Sequence, residues 1–371
     1  MTEVIEPNEL ALEANERRFF FQVDALKAIA IFFVIMDHTL PWGVKWSMLA
    51  PFWERTSIPL FLIIMGFNLG HSFQWTGERS LRELYSRSYF KKKISRFILP
   101  LLILMLASSL LGLYLGALEF QWSILLGILP FRGPGNWFVP VIITSILVFP
   151  LVYWAFIRWP RITVGLCLAA DLAMHAVFTQ IVPVLWPELP DFGFISVLIR
   201  MNILTHLFAV GIGLWFSKEH DIADNRNAIV WILGPLSAMY LGAWLIVGYR
   251  IPFIAGDYSA FAYPYSALLF LLAMDLLPEN ASGRFADIVK TLSRSTYHTF
   301  LFQIFYFSIV YFYWPSFTQD GFGYNTSLYF LYFGINVLVT FAGGMAWFRT
   351  EQWIRGRIKQ KSGSEHRMLL S

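Results

Sequence analysis

Apolar runs of about 20 residues recur along almost the whole chain, and that is the length a helix needs to cross a bilayer. Ten stretches qualify: 21–41, 55–72, 97–117, 136–157, 162–182, 195–217, 228–249, 258–277, 292–315 and 325–348. The segment QWSILLGILP, 121–130, is too short to span and is expected to lie at the interface or to re-enter. In hydrocarbon the backbone must satisfy its own polar groups, which leaves helices or closed barrels, and runs this long select helices. Composition agrees: 57% of residues are hydrophobic, 18% aromatic and only 14% charged. Soluble domains carry about 25% charged residues.

Charge placement orients the spans. Of the 28 Lys and Arg residues, six miss the inward side if the amino terminus lies inside. Lys45, Arg55, Arg132 and Arg250 fall outside, and Lys27 and Arg200 fall within spans; the other 22 flank the inward ends. Such a bias places both termini in the cytoplasm. The expected fold is an all-α polytopic integral membrane protein of about ten transmembrane helices. Residues 1–20 form a cytoplasmic tail, 21–348 the transmembrane domain and 349–371 a second cytoplasmic tail. Residues 1–16 are polar and acidic, unlike a cleavable signal peptide. Internal repeats, dinucleotide and phosphate-loop glycine motifs, a Ser elbow and metal-ligand spacings are all lacking, and nothing indicates nucleic-acid recognition. The single Cys167 can neither close an intrachain disulfide nor hold a metal alone.

Within the first span, VDALKAIAIFFVIMDHTLPWG carries Asp24, Lys27, Asp37 and His38. A charge near the bilayer centre costs roughly 2.5–3.5 kcal/mol on insertion scales, so these residues are candidates for function. Eleven residues make close to three helical turns, so Lys27 and His38 share a face about 16 Å apart, with Asp24 on the same stripe. His38 can accept and return a proton near neutral pH, as a general base, or can itself become acylated. Asp37 lies about 100° around the helix and is expected not to orient that ring easily. Lys27 can pair with Asp24 or meet an anionic ligand.

Seven basic residues crowd RSLRELYSRSYFKKKISRFILP, 79–100. They suit anionic lipid heads or a clamp for phosphates. Trp42, Trp46, Trp53, Trp122 and Trp137 fall in outer segments, as an interfacial belt or a platform for sugar rings. In the sixth span Asn202 and His206 are four apart and share a face, whereas Arg200 and His206 do not. Asp171 and His175 in the fifth span also face together. Such pairs can glue helices or serve function.

These residues resemble the membrane acyltransferase-3 family. Its opening basic residue, ten residues and histidine correspond to Lys27 and His38, and VDALKAIA is similar to its opening motif, with Asp24 as the acid. SIPLFLIIMGFNLG (57–70), FKKKISRFILP (90–100), GNWFVPVIITSILVFP (135–150) and SRSTYHTFLFQ (293–303) follow in the family's order. Met65, Lys93 and Gln303 depart from it, replacing a usual Ser, Arg and His. The resemblance implies a membrane O-acyltransferase. It would move an acyl group, most simply acetyl from acetyl-CoA, from cytoplasmic acyl-CoA to a hydroxyl of an exported or cell-surface carbohydrate. It implies His38 as general base with Asp37, Lys27 and Asp24 around it, and Lys92, Lys93, Arg96 and Trp137 as donor contacts. No metal is implied, and the expected location is the cell membrane, in contact with its lipid. The rival expectation is a transporter or flippase for a polar or lipid-linked solute that uses the same intramembrane charges. The lack of repeats weighs against it.

Overall fold

The computed structural model describes residues 20–77, 79–218, 221, 223–249, 251, 259–313 and 326–368. Most of the expected amino-terminal tail, with Arg17 and Arg18, lies outside the described residues, as does Arg250. A helix falls in each expected span. These are α1 (Phe21–Thr39), α2 (Ala50–Thr76), α3 (Leu99–Tyr114), α4 (Phe138–Arg158), α5 (Pro160–Ala176), α6 (Leu207–Phe216), α7 (Gly234–Val247), α8 (Tyr263–Leu276), α9 (Arg284–Tyr313) and α10 (Thr326–Met368). No strand occurs among the described residues.

Seven helical stretches among the described residues are long and apolar enough to cross a membrane. The protein is therefore an all-α, multi-pass membrane protein. The three helices that do not qualify have local reasons. α1 carries Asp24, Lys27 and Asp37, α8 is 14 residues long, and the first half of α9 is rich in polar residues.

Side-chain contacts set the helix directions. Phe33 meets Trp53 (ring centroids 6.0 Å) and Phe20 meets Phe67 (5.3 Å), so α1 and α2 are antiparallel. Asp24 meets Ser293 and the His38 carbonyl meets Tyr311, so α1 and α9 are parallel. His298 meets Glu351 and Tyr306 meets Asn336, so α9 and α10 are antiparallel. Odd- and even-numbered helices thus point oppositely wherever these contacts test them, as successive crossings require.

Burial separates centre from rim. The apolar windows of α2 and of 194–216 are each 72% buried, against 28% for the stretch holding α3 and 17% for that in α10. Leu102, Leu106, Leu110 and Leu113 accordingly expose one face of α3. In lipid such exposure is favourable, and interior contacts rest on close packing, so small residues gather where helices touch. A Cβ on Gly66 of α2 would lie 2.3 Å from the Val210 carbonyl oxygen of α6, and one on Gly213 would lie 2.0 Å from that of Ile63.

Two departures from regular helix build the interior. The sixth span breaks at Met201–Asn202, and a 3-10 turn, Ile203–His206, precedes α6. The freed backbone groups are satisfied locally. Asn202 donates to the Leu198 and Ile199 carbonyls at 2.9 and 2.7 Å and accepts from Leu204 N–H at 2.7 Å. Thr144 accepts from Ile203 N–H at 2.9 Å. The second departure is the segment 121–137, which re-enters between α3, α4 and α9. Ser108 binds both the N–H and the carbonyl of Phe131, and Asn136 accepts from Leu129 N–H at 2.8 Å. A Cβ on Gly133 would lie 1.9 Å from the Ile304 carbonyl oxygen, so only glycine lets this loop press on α9.

The helix α10 runs on past residue 348 to Met368. Glu351 and Arg355, four apart, form an ion pair on that extension, and their bonds to His298 and Ser95 tie it to the bundle.

Gly66→Ala should force α2 and α6 apart and destabilise the purified protein by about 1–3 kcal/mol, the usual cost of overpacking. A thermal melt in detergent checks this, and a midpoint equal to the parent's would contradict the close approach.

Candidate functional site

α1 and α9 build the site together. Near its end α1 presents His38, half-buried, with the edge of Phe307 of α9 against its ring at 6.3 Å between centroids. Tyr311 donates to the His38 carbonyl at 2.7 Å, satisfying one of the free carbonyls of the last helical turn. Asp37 does not point away as the helical angle implied. Its Oδ2 lies 3.7 Å from His38 Nδ1. That is longer than a hydrogen bond, and it puts the carboxylate on the Nδ1 side of the ring.

The re-entrant loop closes over Nε2. Gly135 has φ +83°, a left-handed turn that glycine adopts without strain. A Cβ there would lie 3.4 Å from His38 Nε2, 3.6 Å from the Phe300 ring and 3.7 Å from Gln303 Oε1. The imidazole and the amide thus both face the Gly135 turn. Gln303 ties the loop down by donating to the Pro134 carbonyl at 3.3 Å.

Behind Asp37 stands a buried polar network that sequence reasoning missed. Lys45, from the short helix Trp42–Ser47, binds Asp37 at 2.6 Å. Glu54 pairs with the neighbouring Arg55 at 3.3 Å. Arg55 stacks on Trp244 of α7 at 4.7 Å. The sequence placed Lys45 and Arg55 in outer loops. A Glu–Arg pair opening an apolar span was the available signal, because buried charges are held by partners.

The other end of α1 holds Lys27, paired with Asp24 at 3.6 Å, as the spacing expected. Asp24 in turn accepts from Ser293 of α9 at 2.5 Å. One turn along α9, Tyr297 donates to the Phe97 carbonyl at 2.8 Å. The basic segment before α3 therefore packs beside the same helix. Lys92 is exposed; Lys93 lies over Tyr89 and Phe97 (5.4 and 5.6 Å), and Arg96 over Phe97 at 5.3 Å. The residues between Lys93 and Leu99 form a π-helical turn, a feature frequent at functional sites. Ser95 within it binds Arg355, and Glu351 binds both Arg355 and, at 2.8 Å, His298.

One expectation changes. Lys27 and His38 do share a face, but the residues between them on it, Ile31 and Val34, are buried in the apolar core. The seam is polar at its ends and closed in its middle. Trp137 stands just before α4, and its ring lies 5.8 Å from that of His206.

The remaining intramembrane pairs form a separate cluster. His175 lies 3.5 Å from Asp171, Asp171 accepts from Phe208 N–H at 3.4 Å, and His206 meets the Tyr263 hydroxyl at 2.9 Å. The Asn202–His206 pairing expected from a continuous helix does not form, because the helix breaks between them and Asn202 caps the break. Arg200 instead reaches Asp191 at 3.4 Å. Through the Phe208 N–H, Asp171 sits at the amino-terminal end of α6.

Residues 20–346 match the family profile described as an acyltransferase domain. The chain belongs to the acyltransferase-3 family. No curated protein and no solved structure gives a match. The matched range takes in both ends of this acyltransferase's α1–α9 seam and the re-entrant loop, and it stops inside α10 before Glu351.

Gly135→Ala should impair the acyltransferase through both its left-handed φ and the contact with Nε2. Residual acyl transfer below about a tenth of the parent's, at roughly 1–2 kcal/mol of backbone strain, is the expected result. Full activity would show that the loop does not border the reacting atoms.

Proposed function

We propose that the protein transfers an acyl group, acetyl in the simplest case, from cytoplasmic acyl-CoA to a hydroxyl of an exported or cell-surface carbohydrate in the cell membrane. The observation that carries this reading is His38 Nε2, which faces the Gly135 turn while the Asp37 carboxylate lies on the Nδ1 side. Family membership supplies the reaction class.

In this reading the basic segment and Lys27 lie at the cytoplasmic end, in keeping with the inward bias of Lys and Arg. Lys93 and Arg96, with Lys92 at the rim, hold the donor's phosphates, to which such side chains bind well. The thioester arm runs along the α1–α9 seam. Because Ile31 and Val34 are packed shut, the arm reaches His38 only when the seam opens there. The acceptor enters from the opposite side, over the re-entrant loop. His38 Nε2 takes the hydroxyl proton as the oxygen attacks the thioester carbonyl. The new C–O bond forms, the C–S bond breaks, and the imidazolium returns the proton to the departing thiolate. Asp37 steadies the imidazolium, as the third group of a nucleophile–base–acid arrangement does. Lys45 holds Asp37 in turn.

His38→Ala should lower the transfer of label from acetyl-CoA to a glycan acceptor by about 10²–10⁴-fold, the usual contribution of a general base. Transfer at the parent's rate would remove His38 from the chemistry. Lys93→Ala combined with Arg96→Ala should weaken acyl-CoA binding by about tenfold or more, given roughly 1.5–3 kcal/mol for a charged hydrogen bond. Isothermal titration on the purified protein measures it, and an unchanged Kd would place the donor elsewhere.

A further inference from the structure

Gln303 is fully buried on α9. Its Nε2 donates to the Pro134 carbonyl at 3.3 Å, and this fixes which way the amide lies, since the opposite orientation would set two oxygens against each other. Oε1 is therefore the atom that faces the Gly135 turn. It accepts no hydrogen bond from the protein. A Cβ on Gly135 would lie 3.7 Å from it and 3.4 Å from His38 Nε2, so the two acceptors face the same turn.

A buried carbonyl oxygen without a donor carries the full desolvation cost of the missing hydrogen bond. Water can supply both acceptors, because it has two O–H groups. Any acceptor substrate that displaces it loses affinity unless it reproduces both bonds. A simple alcohol has a single O–H, and the reaction commits that proton to Nε2. Oε1 then stays unsupplied throughout the step. Two adjacent hydroxyls resolve the shortage, one directed to Nε2 and its neighbour donating to Oε1.

We propose that Gln303 determines acceptor specificity by selecting a vicinal diol: His38 activates one hydroxyl of the pair while Gln303 Oε1 receives the hydrogen bond of the other. This inference rests on the reading of His38 as the base, and it narrows the carbohydrate to one whose reacting hydroxyl has a free neighbour. Sites built to bond a substrate hydroxyl discriminate strongly against analogues that lack it, because the site's own polar group is left unpaired. Gln303 acts on binding and orientation and exchanges no proton in the reaction.

The test compares cis-1,2-cyclohexanediol with cyclohexanol as acceptors for the full-length protein in detergent, following coenzyme A thiol release and ester formation from labelled acetyl-CoA. For the parent, kcat/KM for the diol should exceed that for the mono-alcohol by about tenfold or more, beyond the twofold statistical factor of two hydroxyls. In Gln303→Met, which keeps the side chain's bulk, the ratio should fall towards that factor whatever the absolute rates. A parent that treats both rings alike overturns the inference without any variant, and so does a ratio that survives in Gln303→Met. 2-Aminocyclohexanol acylated on nitrogen, and preferred over the diol, would assign the pair of acceptors to an amine and overturn it equally. Failure of the underlying reading is separately visible. His38→Ala would then release thiol as fast as the parent with the diol present, and ester would form with neither ring.

Discussion

The parallel pairing of α1 with α9 governs the remainder of the molecule. Asp24 meets Ser293 at one end and His38 meets Phe307 and Tyr311 at the other, so the two helices stay in register over the whole of α1. Two helices so far apart in the chain can run parallel only if the helices between them return the chain to its starting side. The register also decides which groups share a neighbourhood. Along α9, Ser293 and Tyr297 serve the basic end, and Phe300, Gln303, Phe307 and Tyr311 serve the imidazole end.

Polar chemistry at the imidazole end persists because every charge has a partner. Asp37 is held between His38 and Lys45, Glu54 pairs with Arg55, and Arg55 lies on the face of Trp244. Removing one member of such a set leaves a neighbour buried without compensation, which costs more than the pair itself contributes. The network therefore ties the helix Trp42–Ser47 to the last turn of α1 and stiffens the rim of the site. The re-entrant loop meets it from the opposite wall, fastened by Ser108, Asn136 and Gln303. Two walls of independent origin thus face each other across His38 Nε2.

Glycine does in this fold what long apolar side chains do in a soluble core. At Gly66, Gly133 and Gly213 the next backbone comes so near that a methyl group would collide with a carbonyl oxygen. The apolar driving force between helices is weak in lipid, and close van der Waals contact takes its place. The polar insertions at the broken sixth span follow the same constraint. Asn202, Thr144 and Asp171 supply the hydrogen bonds that the interrupted helix gives up, because no solvent is there to do so.

The sequence by itself determined the class of fold, the position of the helices and the identity of His38, Lys27 and Asp24 as polar intruders in an apolar span. Those properties are local: hydrophobic length, charge placement and 3.6-residue spacing are set within one helix and need no knowledge of its neighbours. The Lys27–Asp24 and Asp171–His175 pairs were legible for that reason. Only the tertiary structure decided that Asp37 turns toward the His38 ring, that Lys45 stands behind it, and that Gln303 and Gly135 border Nε2. It also closed the seam at Ile31 and Val34. These are contacts between segments up to a few hundred residues apart, fixed by which backbones can approach one another, and no period along a single helix encodes them.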